Sequence, residues 1–447
     1  MVYGDTMKNR KNSKNFDDFY EFNRKKIKKK TKITKRDFTL IILPLLCIPL
    51  IMTLIVISTH SNRLIKSPME YILYVLFGIF SILFLFGILA KRRRKNGKKW
   101  AFIKVLLIIY TIGVLGFNVL LYGSNDKFRT WLISTAMSTM NHQYLCKWFY
   151  NDTEISKVIN SNYIVEVEED TDKSKIKMKE KVTYENEYEE AILKRKKNAK
   201  YKIIKLTVNG QKAYLAAVYD PSLVKVAVTS RMPSAGQFVT KMASDHNALL
   251  AINGGGFYDP GYTDLGGKPT GVTIANGKIV TNNNFSTYTQ SGGLIGMTND
   301  NILVLMKSTT AQKALQAGVR DGVSWGPFLI VNGKKSFIKG NGGWGYAARS
   351  AIGQREDGIV LLLVVDSNST RTKGADMVDL TEIMDNYGAV NAANLDGGTS
   401  SVFVLPQKEA LKYTDTCNDS YCYINDPING SLKHKTRAIA TSIIVAE

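Results

Sequence analysis

Histidine is scarce in this 447-residue chain, and of its four copies only His246 and His434 lie beyond the first third. With no H-E-x-x-H, no C-x-x-C and no Walker loop in that stretch, a zinc protease or a P-loop NTPase has nothing to build on. A Ser-His-Asp hydrolase is poorly supported as well, since both histidines in that stretch have plain readings. His246 ends a helical pattern and reads as a capping or surface residue, and His434 reads as incidental. Cysteine is equally thin: Cys47 lies in an apolar run, Cys146 follows the last such run, and Cys417 and Cys422 share a polar loop. Outside the cell those two can form a small disulfide, or they can stand as free thiols. No internal repeat is visible.

Long apolar runs, by contrast, are present three times near the N-terminus. Residues 38–58, 69–90 and 101–122 are each about 20 residues long, the length that crosses a bilayer as a helix. Lys104, near the start of the third, can snorkel to the headgroups. The net charge of +22 could suggest nucleic acid until its distribution is read. Residues 1–37 carry +8 and residues 91–99 carry +7, so most of the excess flanks the apolar runs, whereas the loop 59–68 has only Arg63 and Lys66. The positive-inside rule then expects a cytoplasmic N-terminus and a cytoplasmic 91–99 loop, and an odd number of spans expects everything after Tyr122 outside. Nucleic acid is not an expected partner; membrane lipid is. The basic region before the first run is too long for a cleavable signal peptide, and no A-x-A-like site follows it, so the chain is expected to stay anchored at the cell membrane.

The exterior part changes character along its length. Residues 128–149 read as an amphipathic helix near the membrane, and 166–200 are dense in charge of both signs with few large apolar residues, as in a solvated stalk. From Tyr201 on, short β runs alternate with Gly, Asn and Asp: 201–208, 212–219, 224–229, 248–252, 271–274, 302–306, 328–331, 359–365, 401–405 and 438–445. Helices are expected at 237–245, 310–317 and 376–387. The last has Met377, Leu380, Ile383, Met384 and Tyr387 on one face, Asp376 placed to cap it and Gly388 to end it. The expected organisation is a basic tail (1–37), three transmembrane α-helices (38–122), an amphipathic helix with a charged stalk (123–200), and one extracytoplasmic α+β domain (201–447).

What remains for chemistry is carboxylates, amides and an arginine beside glycines, the equipment of sugar and phosphate reactions. Asn391-Ala-Ala-Asn-Leu-Asp-Gly-Gly-Thr-Ser-Ser401 runs an apolar strand end into Asp396, two glycines and three hydroxyls. Ala251-Ile-Asn-Gly-Gly-Gly-Phe-Tyr258 is a second turn of that kind, Arg349 sits in Ala348-Arg-Ser-Ala-Ile-Gly353, and Asp366 ends the apolar run 359–365. For either aspartate a capping role is the plain alternative. Trp344 stands among glycines and is expected to stack on a sugar ring, with Trp325 in the core.

These pieces, with Gly271-Val-Thr-Ile274, Gly326-Pro-Phe-Leu329 and the helical Leu380-Thr-Glu382, stand in an order that resembles the phosphodiester glycosidase family over the C-terminal 245 or so residues. The resemblance does not reach the apolar runs or the stalk. It implies cleavage between a sugar's anomeric carbon and a phosphate, with Asp396, then Asp366, as the carboxylate that steadies an oxocarbenium-like centre or activates water, and Arg349 as the fixed cation for the phosphate. It places an acidic residue at Glu382, where a helix-surface charge is an equal reading. Asn253, Asn394 and Ser400 would bind sugar hydroxyls, and the amides of Gly254, Gly255, Gly397 and Gly398 would line the pocket. Thr399 and Ser350 depart from the Gly and Thr that many members carry there, which leaves substrate preference open. The expected substrate is a sugar-phosphate polymer or glycan of the cell envelope, including exopolysaccharide. The alternatives are a non-catalytic carbohydrate-binding or assembly factor, and a phosphodiesterase that cuts the P–O bond. No cofactor or metal is expected, although loop carboxylates leave room for one calcium or magnesium ion.

Overall fold

The computed structural model describes residues 35, 38–60, 69–89, 98–124, 126–137, 143–179, 181–259, 266–283, 292–367, 374–429, 432–433 and 436–447. The basic tail apart from Lys35, the residues 91–97 of the second basic stretch, Arg63, Lys66 and His434 lie outside them. The chain divides into two compact units: one runs to Leu132 and takes in His142–Ser156, and the other comprises Ile133–Asn141 and Lys157–Glu447.

In the first unit, helices occupy all three apolar runs: Leu43–His60, entered through the wider-wound Phe38–Ile42, then Met69–Leu89 and Lys98–Tyr122. Two stretches, Phe38–His60 and Val105–Tyr122, are long and apolar enough to cross a membrane over the described residues, against the three expected. In the middle helix, which carries Glu70 near its start, only Tyr74–Phe84 stands out, as a shorter apolar helix. Polar side chains tie the first helix to the third: Tyr110 donates to Leu46 O (2.9 Å) and Asn118 Nδ2 to Thr53 Oγ1 (2.6 Å). Such bonds are the common glue where both helix faces are apolar. The expected helix over 128–149 is instead two shorter ones, Asp126–Met137 and Gln143–Lys147.

The second unit is a mixed α+β domain that is mostly sheet. Its central sheet has seven strands in the order Lys334–Lys335, Phe328–Val331, Ala389–Asn394, Arg349–Arg355, Val360–Val365, Gln211–Val218, Tyr201–Val208, with every pairing antiparallel. One face is covered by the helix Met377–Asn386, which buries Met377, Leu380 and Met384 against Ala351, Leu361 and Leu363. Asp376 and Asp379 form a reciprocal capping box at its start, as the sequence pattern expects of Asp376. The other face meets two five-stranded sheets in the main core, where Leu362, Val364 and Leu395 join Ile252, Phe403 and Ile443 of one and Ile295, Leu303 and Val323 of the other. The strands Gly293–Thr298, Val319–Trp325 and Arg349–Arg355 escape the composition-based reading, since glycines and charged residues interrupt them.

The segment 166–200, whose charge density suggests a solvated stalk, lies along this domain. Tyr163–Val165 pairs with Phe337–Lys339, Ile176 and Ile192 are buried in two of its cores, and buried Glu166 accepts the amides of Gly292 (2.8 Å) and Phe328 (2.6 Å). A few well-placed apolar residues and one carboxylate with two backbone donors suffice to dock it. Cys417 and Cys422 are joined as a disulfide.

Candidate active site

Arg349 opens its strand and Asn394 closes the neighbouring one, with Ala351 opposite Asn394 in register. The pairing returns the turn after Asn394 to the start of the arginine's strand: Leu395 N donates to Ser350 O (2.8 Å) and Gly398 N to Ala348 O (2.7 Å). At Gly397 a Cβ would stand 3.1 Å from the Ala348 carbonyl oxygen and 3.4 Å from Arg349 Nη1, and Gly398 takes a φ of +64°. The two glycines therefore let the turn pass directly over the guanidinium.

Arg349 is buried. Its Nε donates to Ala375 O (3.3 Å) and its Nη2 to the carbonyls of Trp344 and Gly345, while Nη1 has no hydrogen-bond partner among the described residues. Burial draws the guanidinium down to about 10, and Asp376 and Asp396 hold it up, so it is a fixed cation at neutral pH. Asp396 is half-buried beside it, with Gly397 N donating to its Oδ1 (3.0 Å). Burial pushes its carboxyl up, against the Ser400 hydroxyl, Arg437, the Gly397 amide and Arg349, which all favour the charged form.

Arg437 is the residue that the sequence reading misses. Its Nη2 donates to Asp259, and its guanidinium lies 4.7 Å from the centre of the Phe257 ring. Its one signal in the sequence is an arginine shortly before the last apolar strand, which carries no chemistry by itself.

The second Gly-rich turn braces the first rather than opening to solvent. Asn253 is fully buried; its Nδ2 donates to Asp396 O, and its Oδ1 accepts Ser350 Oγ (2.6 Å) and Val402 N (3.2 Å). With both oxygen lone pairs used, its side chain holds the strand ends together and has no acceptor left for a sugar hydroxyl. The amides expected to line a pocket are also occupied: Gly254 N donates to Thr441 O (3.0 Å) and Gly255 N to Thr441 Oγ1 (3.2 Å), as Gly397 and Gly398 do to Asp396 and Ala348. Among the described residues, buried Asn394 Oδ1, Ser401 Oγ and Thr270 Oγ1 have no hydrogen-bond partner. Asn394 Nδ2 is held by Gly326 O (2.7 Å), which fixes the direction of the free oxygen.

Trp344 and Trp325 are both half-buried and meet edge to face, their ring centres 6.4 Å apart. Trp344 thus gives part of its ring to Trp325 instead of standing clear. Asp366 belongs to a different cluster: its two oxygens accept Asn425 Nδ2 (2.8 Å) and Asp426 N (3.0 Å), and burial pushes it up to about 6. Glu382 is not brought to the site. It is exposed on the outer face of its helix, near Lys335, because the opposite face is the one buried on the sheet. His246 caps its helix, with Nδ1 2.8 Å from Met242 O. Among the described residues no three His, Cys, Asp or Glu side chains converge. A cavity of about 630 Å³ is lined by Lys177, Lys181, Glu189, Arg355 and Asp357 and by none of the candidate residues.

Residues 246–446 match the family model of phosphodiester glycosidases. Over 201 residues the chain is 25% identical to the SPbeta prophage-derived uncharacterized protein YomE of Bacillus subtilis (strain 168), covering 44% of this chain and 29% of that protein. Over 74 residues it is 38% identical to N-acetylglucosamine-1-phosphodiester alpha-N-acetylglucosaminidase of Bos taurus, covering 17% of this chain and 14% of the enzyme. The chain therefore spans less than a third of the length of either relative. Among solved structures, the catalytic domain of the zebrafish enzyme, auto-inhibited by its pro-peptide, is 23% identical with a TM-score of 0.41, covering 57% of this chain and 87% of that one.

Proposed function

We propose that this chain, whose residues 246–446 carry a phosphodiester glycosidase domain, is a membrane-anchored hydrolase acting outside the cytoplasm. Its reaction is cleavage of the bond between a sugar's C1 and the phosphate oxygen in sugar phosphodiesters of the cell envelope or of exopolysaccharide. The observation that carries this reading is a half-buried carboxylate, Asp396, beside a buried arginine that keeps one nitrogen unspent. In the proposed step the C1–O bond breaks, and its electron pair leaves on the phosphate oxygen. Arg349 Nη1 stabilises that developing charge. Asp396 steadies the positive C1 and takes a proton from the water that adds to it, giving free sugar and a phosphomonoester. A carboxyl raised by burial and faced by two cations suits such a base. Asn394 Oδ1 and the Ser400 hydroxyl would accept and donate to the sugar, and Asp366 and Asn253 would hold the frame. The Phe38–His60 and Val105–Tyr122 stretches support anchoring, and a disulfide at Cys417–Cys422 suits an oxidising compartment.

The test is product analysis, with the full chain in detergent acting on several anomeric sugar-1-phosphodiesters. Free sugar lost in an Asp396→Asn variant is the expected result. Sugar phosphate as product would mean P–O cleavage, and no product from a folded chain on any of them would favour a binding or assembly role.

A further inference from the structure

The ribbon formed by Tyr163–Val165 and Phe337–Lys339 has two unlike faces. Ile164 and Ile338, opposite each other in register, turn inward and pack on the core beneath the sheet. The outward pairs are Tyr163 with Lys339 and Val165 with Phe337, and here Phe337 is 60% exposed, Val165 51% and Tyr163 40%. Water-facing ribbon positions are ordinarily polar. The remaining polar group on this face is Lys339, whose ammonium lies 5.5 Å from the centre of the Tyr163 ring. Aromatic rings, an aliphatic side chain and one lysine are the composition of an element at a bilayer interface, where rings sit at headgroup level and the lysine reaches lipid phosphates.

The ribbon is also bonded to a helix that follows the last apolar run closely in sequence. Asn341, just past Lys339, donates from Nδ2 to Ser134 Oγ (2.7 Å), and its amide donates to Asn162 Oδ1 (3.3 Å). Ser134 lies in the helix Asp126–Met137, which begins soon after Tyr122 ends the last apolar helix. About a dozen residues separate Tyr122 from Ser134, a covalent tether that reaches at most roughly 40 Å. We propose that the outer face of this ribbon rests on the lipid surface of the membrane that holds the chain. The inference rests on the anchoring part of the functional reading and is independent of catalysis.

The full chain reconstituted into vesicles containing anionic lipid tests it. In a background with the free cysteines Cys47 and Cys146 replaced by alanine, an environment-sensitive fluorophore is placed at Val165→Cys or Phe337→Cys, with exposed Lys196→Cys as reference. The expected result is blue-shifted emission at 165 and 337 that lipid-borne nitroxide quenches and aqueous iodide does not, with the opposite at 196. Labels at 165 and 337 that behave like the one at 196 overturn the proposal, provided the chain floats with the vesicles. A chain that does not float overturns the anchoring reading itself.

Discussion

Asp396 and Asp366 start from the same logic in the sequence: each follows an apolar stretch and precedes hydroxyl-bearing residues. Folding gives them opposite surroundings. Asp366 has one oxygen on a carboxamide and the other on a backbone amide, and burial leaves it raised to about 6. Asp396 is half-buried, but two guanidinium groups and the Ser400 hydroxyl oppose the cost of its charge, and Asn394 Oδ1 has no partner among the described residues. The difference teaches that a carboxylate at a strand end becomes a candidate for chemistry through the cations and unspent polar atoms around it. One that neutral donors already saturate is part of the frame.

Substitutions separate the two. Asp396→Asn is expected to lower turnover of a sugar phosphodiester by about 10³-fold or more, whereas a loss below tenfold would make the aspartates equivalent. Arg349→Lys keeps the charge and loses the planar fork that grips three carbonyls; kcat/KM is expected to fall about 10²-fold with secondary structure retained by circular dichroism. Asn253→Ala leaves the Ser350 hydroxyl, the Val402 amide and the Asp396 carbonyl without a partner, so a stability loss of about 3 kcal/mol should appear as a lowered Tm. Asp366→Asn should leave turnover within a few-fold and change the pH dependence of stability. A carboxyl raised to about 6 binds its proton in the folded state between its ordinary value of 3.8 and 6. The wild type should therefore lose stability relative to the variant as pH rises through that window, by about 3 kcal/mol at its upper end. Melting curves of both proteins from pH 4 to 7 measure it.

How much of this was legible in the sequence varies with how local each signal is. The capping box at Asp376, the strand at 201–208 and the Asp-Gly-Gly turn are written in consecutive residues, and they appear where the pattern places them. That Glu382 faces outward also follows from helical spacing once Met377, Leu380 and Met384 are given the inner face. The saturation of Asn253 could not be read, because its partners Ser350 and Val402 come from strands that are distant in the chain and adjacent only in space. Arg437 was hidden for the same reason: Phe257, Asp259 and Asp396 meet it through the fold. Glu166 looked like one charge among many until two backbone amides from separate loops converged on it.

That convergence sets where the second unit can be cut free. A fragment beginning at Tyr201, where the long sheet starts, sheds Glu166, Ile176 and Ile192 together. The Gly292 and Phe328 amides then lose their acceptor next to the Gly326–Pro327 backbone that holds Asn394, and two cores are opened at once. The smallest piece that keeps its own interior closed reaches back past Tyr163, so the charged leader belongs to the folded body and travels with it.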